Sequence, residues 1–301
     1  MKSMKYEKID KKILGELTVL VTGVTGNQGG AVARELLTNG HVVRGFTRDL
    51  ESSKALELKE LGIELIKGNF DDPASIEFSL QGVDACYLMG SPFRIGVEKE
   101  TLHGIRVANA TKKLGIKHLL YSSVGSAHEN TGIPHFESKF KVEEHIRKII
   151  VPYTIIRPAF FMDNFYTPFN LPDLKKGIRT APMPPDRKLA MVSLKDIGKF
   201  VVYIFEHRED FLGKAIDIAS DNISGKESVE IFSRILGKEF KYVEQKYDDI
   251  AAYGEDLVLM YKWFNEVGYN IGINALREKY PNIGWHSFEE WVNEQDWTVL
   301  N

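Results

Sequence analysis

Apolar residues along this chain fall into short runs divided by charged or glycine-rich breaks, and the runs alternate between strand-like and helix-like spacing. Residues 17–21 are an apolar, β-branched-rich run. They meet a glycine cluster and then a helically spaced segment that continues to Gly40, which predicts strand, tight turn and helix. The alternation then repeats. Residues 42–47 predict a second strand and 63–66 a third, followed by Asp72-Pro73, a helix cap with proline at the first helical position. Ile76, Phe78 and Leu80 are the apolar residues of the short helix behind that cap. Residues 83–89 predict a fourth strand that ends at Gly90-Ser91-Pro92, and 97–113 a long amphipathic helix with Leu102, Ile105 and Val107 as core positions. A fifth strand (118–122), a partly buried helix (135–149, on Phe140, Val142 and Ile146) and a sixth strand (153–156) complete the series. This pattern predicts an α/β fold built on a doubly wound parallel sheet with right-handed crossovers.

Beyond Tyr166 the pattern changes. Seven prolines lie between residues 151 and 185, which predicts a loop-rich excursion over the sheet. Residues 188–192 read as a short strand, and Ser193 caps a helix over 194–206 that carries Ile197, Phe200, Val201 and Ile204 at helical spacing. A strand over 215–219, helices over 227–236 and 250–267 and a strand over 241–243 predict a smaller C-terminal α/β substrate region. Ser287-Phe288-Glu289-Glu290 is a capping box for the last helix. The expected organisation is a mobile, charged tail (1–16), a nucleotide-binding domain (17–165) and a smaller domain (166–301), with the segment at about 188–220 returning to the larger core.

Composition narrows the function. With 301 residues, 43% of them hydrophobic, and a formal net charge of -3, the chain reads as an ordinary soluble protein with no call for a polyanionic partner. No basic run or zinc-finger spacing points to direct nucleic-acid binding. No apolar run approaches the length of a membrane span or a signal-peptide core, so a cytoplasmic location is expected. The single cysteine, Cys86, lies inside an apolar run and reads as a buried structural thiol in a reducing compartment. The eight histidines show no His-x-x-x-His spacing with an acidic third ligand, so no metal is expected.

The candidate chemistry gathers at the strand ends. Gly23, Gly26 and Gly29 have the spacing G-x-x-G-x-x-G: the first lets the chain turn out of the strand, the second lets a diphosphate approach the backbone, and the third lets helix and strand pack closely. Thr25, Asn27 and Gln28 complete that turn, and their main-chain amides belong to the new helix N-terminus that faces the anion. Arg48, just past the second strand and nineteen residues after Gly29, stands where a guanidinium pairs with the 2'-phosphate of NADP(H). Asn69 and Phe70 border the adenine in this arrangement. Met89, Gly90 and Ser91 form the loop at which a nicotinamide ribose lies. His135 and Lys139, four residues apart, share one helix face.

Taken together, Thr22 to Gly30, the Thr47-Arg48 strand end, His135-Phe136-Glu137-Ser138-Lys139 and the segment 157–164 resemble the NmrA-like branch of the atypical short-chain dehydrogenases. The resemblance covers residue 17 to the final helix. It implies a Rossmann-type domain holding NADP(H), a small C-terminal domain over the cleft, and contacts to the cofactor from Lys139, Ala159, Phe160 and Phe161. Members of the branch are nicotinamide-responsive regulators or NAD(P)H-dependent reductases, quinone reductases among them. A working short-chain dehydrogenase carries tyrosine four residues before the lysine, and this chain has His135 there. An imidazole beside an ammonium is a poor store of a proton. Ser122 and Ser123 stand near the usual serine spacing, so Ser123 can still orient a carbonyl. The favoured expectation is therefore a redox-sensing regulator with weak or no dehydrogenase activity and a protein partner. The alternative is a reductase of a quinone, enone or aldehyde, with Lys139, His135 and Ser123 as its catalytic groups. A sugar-nucleotide epimerase or dehydratase is disfavoured by the absent tyrosine.

Overall fold

The computed structural model describes residues 16–300; all but the last residue of the expected tail lies outside the described residues. Its strands are β1 (Thr18–Thr22), β2 (Val42–Thr47), β3 (Glu64–Lys67), β4 (Ala85–Met89), β5 (His118–Ser122), β6 (Tyr153–Pro158), β7 (Phe160–Phe161), β8 (Ile178–Ala181), β9 (Lys188–Val192), β10 (Ala215–Ile218), β11 (Asp221–Ser224) and β12 (Lys241–Glu244). Seven of them form one all-parallel sheet in the order β10-β6-β5-β4-β1-β2-β3. The strand order reverses between β1 and β4, and in such a sheet ligands bind in the crevice outside the strand ends at that reversal.

The helices are α1 (Asn27–Thr38), α2 (Ser53–Glu60), α3 (Pro73–Leu80), α4 (Val97–Lys113), α5 (Pro134–Ile149), α6 (Leu171–Lys175), α7 (Leu194–Glu206), α8 (Arg208–Phe211), α9 (Gly225–Leu236), α10 (Tyr247–Ala251), α11 (Glu255–Glu266), α12 (Ile273–Lys279) and α13 (Phe288–Glu294). Alternation along β1 explains why both sheet faces are covered. Val19 and Val21 pack with Val32, Leu36 and Phe200 of α1 and α7, whereas Leu20 packs with Leu80, Val107 and Val142 of α3, α4 and α5. A parallel strand buried on both sides must be apolar throughout, as this one is.

The chain after β6, joined by Phe136 of α5, builds a second core in which Phe136, Phe165, Phe232, Phe264, Phe288 and Trp291 pack together beside two small sheets, β11-β9-β7 and β12-β8. The α/β fold with its doubly wound parallel sheet agrees with the expectation. Several details do not. Leu102 and Phe78 are 43% and 58% exposed. On α4 the covered stripe is Glu100, His103, Gly104, Val107, Ala108 and Thr111, whose spacing leaves Leu102 outside it. Glu100 and His103 can join that stripe because each is bonded to a partner, Lys139 and Asp71 respectively. The single helix expected over 250–267 is two, α10 and α11, because Gly254 turns the chain at φ +114°. The proline-rich excursion holds α6 and β8, and β7 and β11 are short strands whose few residues gave no periodicity to read.

The C-terminal segment is clamped by charge. The buried Asp196 carboxylate accepts from the His286 main-chain N–H at 2.9 Å and meets its Nδ1 at 2.5 Å, and the bond to Asp196 raises the imidazole's pKa. The capping box follows immediately: Ser287 Oγ accepts from Glu290 N–H, and the Glu290 carboxylate accepts from Ser287 N–H. Cys86 is fully buried, and burial pushes its thiol far up. Among the described residues no helix is long and apolar enough to cross a membrane.

Candidate functional site

At the end of β1 the chain turns through Gly23 at φ +62°, and the Gly26 N–H closes the turn on the Gly23 carbonyl at 2.8 Å. A Cβ on Gly29 would lie 2.3 Å from that carbonyl oxygen, and one on Gly26 would lie 3.1 Å from it. Only glycine permits so close an approach at position 29. Gly26 is the N-cap of α1 and has no side chain to bond the first helical amides. The first intrahelical bond is Gly30 N–H to Gly26 O at 2.9 Å, so the amides of Asn27, Gln28 and Gly29 have no intrahelical acceptor. Asn27 is exposed and meets Lys54 Nζ at 3.4 Å, which sets a cation at the rim of the turn. Bare helical amides, a backbone stripped of side chains and a neighbouring cation fit a diphosphate.

Gln28 behaves differently. Its side chain is buried and donates to Ser122 Oγ at 2.8 Å, so it ties the turn to β5 and leaves only its main-chain amide for an anion. Thr25 lies half-buried on the turn.

Arg48 projects exposed beyond β2 and forms no ion pair among the described residues. Its neighbour Asp49 is engaged in shaping the loop, with Oδ1 accepting from Glu51 N–H at 2.9 Å and its carbonyl accepting from Ser52 Oγ. The guanidinium is thus free to meet a phosphate. Phe70 packs between Phe46 and His103, with ring centroids 5.1 and 5.4 Å away. Asn69 is spent on its own loop, accepting from Asp71 N–H at 3.0 Å.

The reversal point is stitched by Thr22, whose hydroxyl accepts from Met89 N–H at 2.9 Å and donates to Met89 O at 3.2 Å. The Met89 sulfur lies 2.4 Å from where a Cβ on Gly23 would stand, so the thioether rests directly on the turn. Gly90 follows, its carbonyl accepting from Lys139 Nζ at 3.1 Å, and the exposed Ser91 comes next. Lys139 is also bonded to Glu100 Oε1 at 2.6 Å, while the other Glu100 oxygen accepts from Ser138 Oγ at 2.6 Å. Glu100 is only 2% exposed. A buried carboxylate therefore fixes the lysine, and two of the ammonium's three donors are used within the protein.

His135 is also not the bare ring the sequence implied. Asp256, in the first turn of α11, accepts from His135 N–H at 3.1 Å and bonds its Nδ1. The ammonium of Lys139, expected to act on His135 as an isolated charge, is compensated by Glu100. Ser123 is buried and its hydroxyl has no hydrogen-bond partner among the described residues, although it is near enough to the Glu143 carboxylate to help lower that group's pKa. Glu143 is buried and paired twice with Arg157, at 2.9 and 2.7 Å, and its pKa is lowered although burial opposes this, because the Arg157 hydrogen bonds and charge prevail. Ala159 is buried with Ala190 and Ala219, and Phe160 and Phe161 point to opposite sides of β7, one packing in each core. The structure thus brings Met89, Gly90 and Lys139 together at the reversal point, and places Ser123 near Glu143.

A cleft of about 550 Å³ opens at the glycine turn itself, between α1, α2, α13 and the start of α7, with Thr25, Gly26, Asn27, Lys54, Lys195 and His286 on its walls. It does not reach Gly90, His135 or Lys139. Sequence reasoning missed Lys54, Glu100 and Asp256, since each is remote in sequence from the motif it serves and only the fold joins them.

A profile of the NmrA-like family matches residues 15–292. An NmrA-like family domain-containing protein of Dictyostelium discoideum is 30% identical over 298 residues, covering 92% of this chain and 97% of its own. The NmrA-like family domain-containing oxidoreductase malD of Malbranchea aurantiaca is 32% identical over 257 residues, 77% of this chain and 76% of that one. Among solved structures, NmrA, a negative transcriptional regulator, in complex with NADP has the same fold at a TM-score of 0.79 and 22% identity, over 93% of this chain and 95% of that one.

Proposed function

The chain belongs to the NmrA-like family, and from that premise we propose that it is a cytoplasmic NADP(H)-binding protein that reduces a small quinone, enone or aldehyde. The cradle at Gly29, too close to the Gly23 carbonyl for any side chain, supports the binding. The nucleotide would lie across the ends of β1 and β4, with its diphosphate on the amides of Asn27 to Gly29, its 2'-phosphate on Arg48 and its nicotinamide ribose at Gly90 and Lys139. When bound, it supplies the hydride. The protein's own groups hold it, orient the acceptor and handle the proton.

Reduction rather than sensing alone is favoured by one observation: both Lys139 and His135 are held in place by dedicated carboxylates, Glu100 and Asp256. A site that only bound the nucleotide would not require the second. The regulator alternative keeps the same cofactor and adds a protein partner, as the solved NADP complex of a transcriptional regulator suggests.

Fluorescence titration with NADPH and NADH tests the cofactor. Arg48→Ala is expected to weaken NADPH binding by about ten- to a hundredfold and to leave NADH binding unchanged, because a charge-assisted phosphate contact is lost from one ligand only. Equal affinity of the wild type for both nucleotides would remove the role of Arg48. Chemistry is tested by NADPH oxidation with 1,4-naphthoquinone and small aldehydes. Lys139→Ala alone would strand a buried Glu100 charge, so the informative variant is Lys139→Met with Glu100→Gln, which removes both charges together. This double variant is expected to stay folded and to lose at least about tenfold in kcat. No saturable turnover by the wild type with any acceptor leaves the regulator reading in its place.

A further inference from the structure

Asp256 belongs to the C-terminal region, 121 residues from the histidine it touches. It is the second residue of α11, the helix that Gly254 makes separate from α10. One carboxylate oxygen accepts from the main-chain N–H of His135, in the first turn of α5, and the other bonds ring Nδ1. The imidazole is 8% exposed at its side chain and is flanked by Phe136 and Phe93, with ring centroids 4.7 and 5.5 Å away. Ring Nε2 has no protein partner among the described residues. The same helix face carries Lys139 one turn further on, bonded to Gly90 at the reversal point.

We propose that Asp256 is a positioning residue for His135: by accepting a hydrogen bond from Nδ1–H it fixes the ring's angle and keeps that proton on Nδ1, so that the imidazolium gives its other proton, the one on Nε2, to the reduced acceptor. The proposal deepens the reductase reading above and rests on it. In the step itself the hydride of NADPH forms the new carbon–hydrogen bond, and the carbonyl electron pair moves to oxygen. The imidazolium's Nε2–H bond breaks as the oxygen–hydrogen bond forms, its electron pair stays on nitrogen to leave the neutral ring with its proton on Nδ1, and solvent reprotonates Nε2 before the next turnover. Asp256 does not lose or gain a proton in this sequence. It plays the part of the carboxylate that orients an imidazole in other proton-transfer sites. Placing that carboxylate on α11 makes the proton donor depend on the C-terminal region being docked against α5.

The competing account is that Asp256 merely caps the first turn of α5, satisfying one orphan amide. Asp256→Asn separates the two. A carboxamide has one acceptor oxygen where two donors arrive. With that oxygen on the main-chain amide, its NH2 faces Nδ1 and forces Nδ1 to accept. Long-range 15N–1H spectra of histidine-labelled full-length protein, recorded without nucleotide in alkaline buffer, report the tautomer directly. The wild type should show His135 with its proton on Nδ1, and Asp256→Asn should show it on Nε2. Asp256→Ala, if it folds, should match the Asn variant. With 1,4-naphthoquinone as acceptor, Asp256→Asn should lower kcat at least about tenfold and change the KM for NADPH less than about twofold. An Nε2–H tautomer in the wild type, or one that Asp256→Asn does not alter, overturns the proposal whatever the turnover. The expected tautomers with unchanged kcat overturn the catalytic part. The expected tautomers in a wild type that reduces none of the acceptors sink the reductase reading, and the proton step with it.

Discussion

Gly29→Ala is expected to weaken NADPH binding at least about a hundredfold and to lower thermal stability. Its new methyl would stand 2.3 Å from the Gly23 carbonyl oxygen, 2.6 Å from the Gly23 carbonyl carbon and 2.8 Å from the Thr22 oxygen. All three are main-chain atoms at the end of a central strand, so no side chain can swing aside. The helix must move instead. α1 is fastened on its far side against α7 through Val32, Leu36, Phe200 and Val201, all buried, so that movement disturbs a packed layer. Overpacking of this kind costs about 1–3 kcal/mol in stability. The amides of Asn27 to Gly29 move with the helix away from the position proposed for the diphosphate. Gly30→Ala is the control. Its methyl would meet the Val24 carbonyl oxygen at 3.2 Å and the tip of Arg34 at 3.3 Å, distances that a few tenths of an ångström relieve. That variant should bind NADPH within about threefold of the wild type, because it leaves the turn in place. Titration of both variants beside a melting curve checks the pair, and a Gly29→Ala protein that binds as the wild type does would remove the cradle from the account.

The contrast between those neighbouring glycines marks what was legible in the sequence. Gly23, Gly26 and Gly29 could be singled out because a strand pattern precedes them and a helix pattern follows, and local signals of that kind survive into the structure. So do the Asp72 and Ser193 caps, which accept from Ala74 and Asp196 N–H respectively. The position of Arg48 was legible for the same reason, since it depends only on where β2 ends.

Other parts of the site could not be read because their partners arrive from distant stretches. Glu100 in an amphipathic helix looks like a solvated residue, and only the proximity of α4 to α5, permitted by the missing side chain at Gly104, turns it into the counter-ion of Lys139. The same holds for Asp256, whose position depends on a helix break at Gly254 that apolar spacing alone did not reveal. Ser123 shows how little spacing alone decides: it follows β5 directly, and its buried hydroxyl has no hydrogen-bond partner among the described residues, which its distance in sequence from His135 did not foretell.

That carboxylate is the subject of the second large effect. Arg157→Met is expected to destabilise the protein by about 3–5 kcal/mol, the cost of leaving a buried charge without its partner. Glu143 has no exposed surface, and Arg157 meets both of its oxygens before reaching Asp217 at 3.2 Å. Arg147 also bonds Glu143, at 2.8 Å, but its side chain is 35% exposed and solvent weakens its contribution, so Arg147→Ala should cost less than about 1 kcal/mol. Replacing both members, Arg157→Met with Glu143→Met, should restore most of the loss, since neither charge then remains to be stranded. The acid limb of the stability curve gives an independent check. The folded-state pKa of Glu143 lies below its unfolded value: burial would raise it, and the Arg157 hydrogen bonds outweigh that. A depressed carboxylate contributes its full stability above the unfolded value of about 4.3, and that contribution disappears as pH falls through the lower folded value. Denaturant titrations from pH 7 downward should therefore show a steeper loss in the wild type than in the double methionine variant. The consequence reaches the site because α5 carries His135 and Lys139 on one side of Glu143, and β6 leads from Arg157 into Ala159 to Phe161. A single-methionine variant as stable as the wild type, or a double variant with an unchanged acid limb, would show that α5 is held to β6 by apolar packing alone.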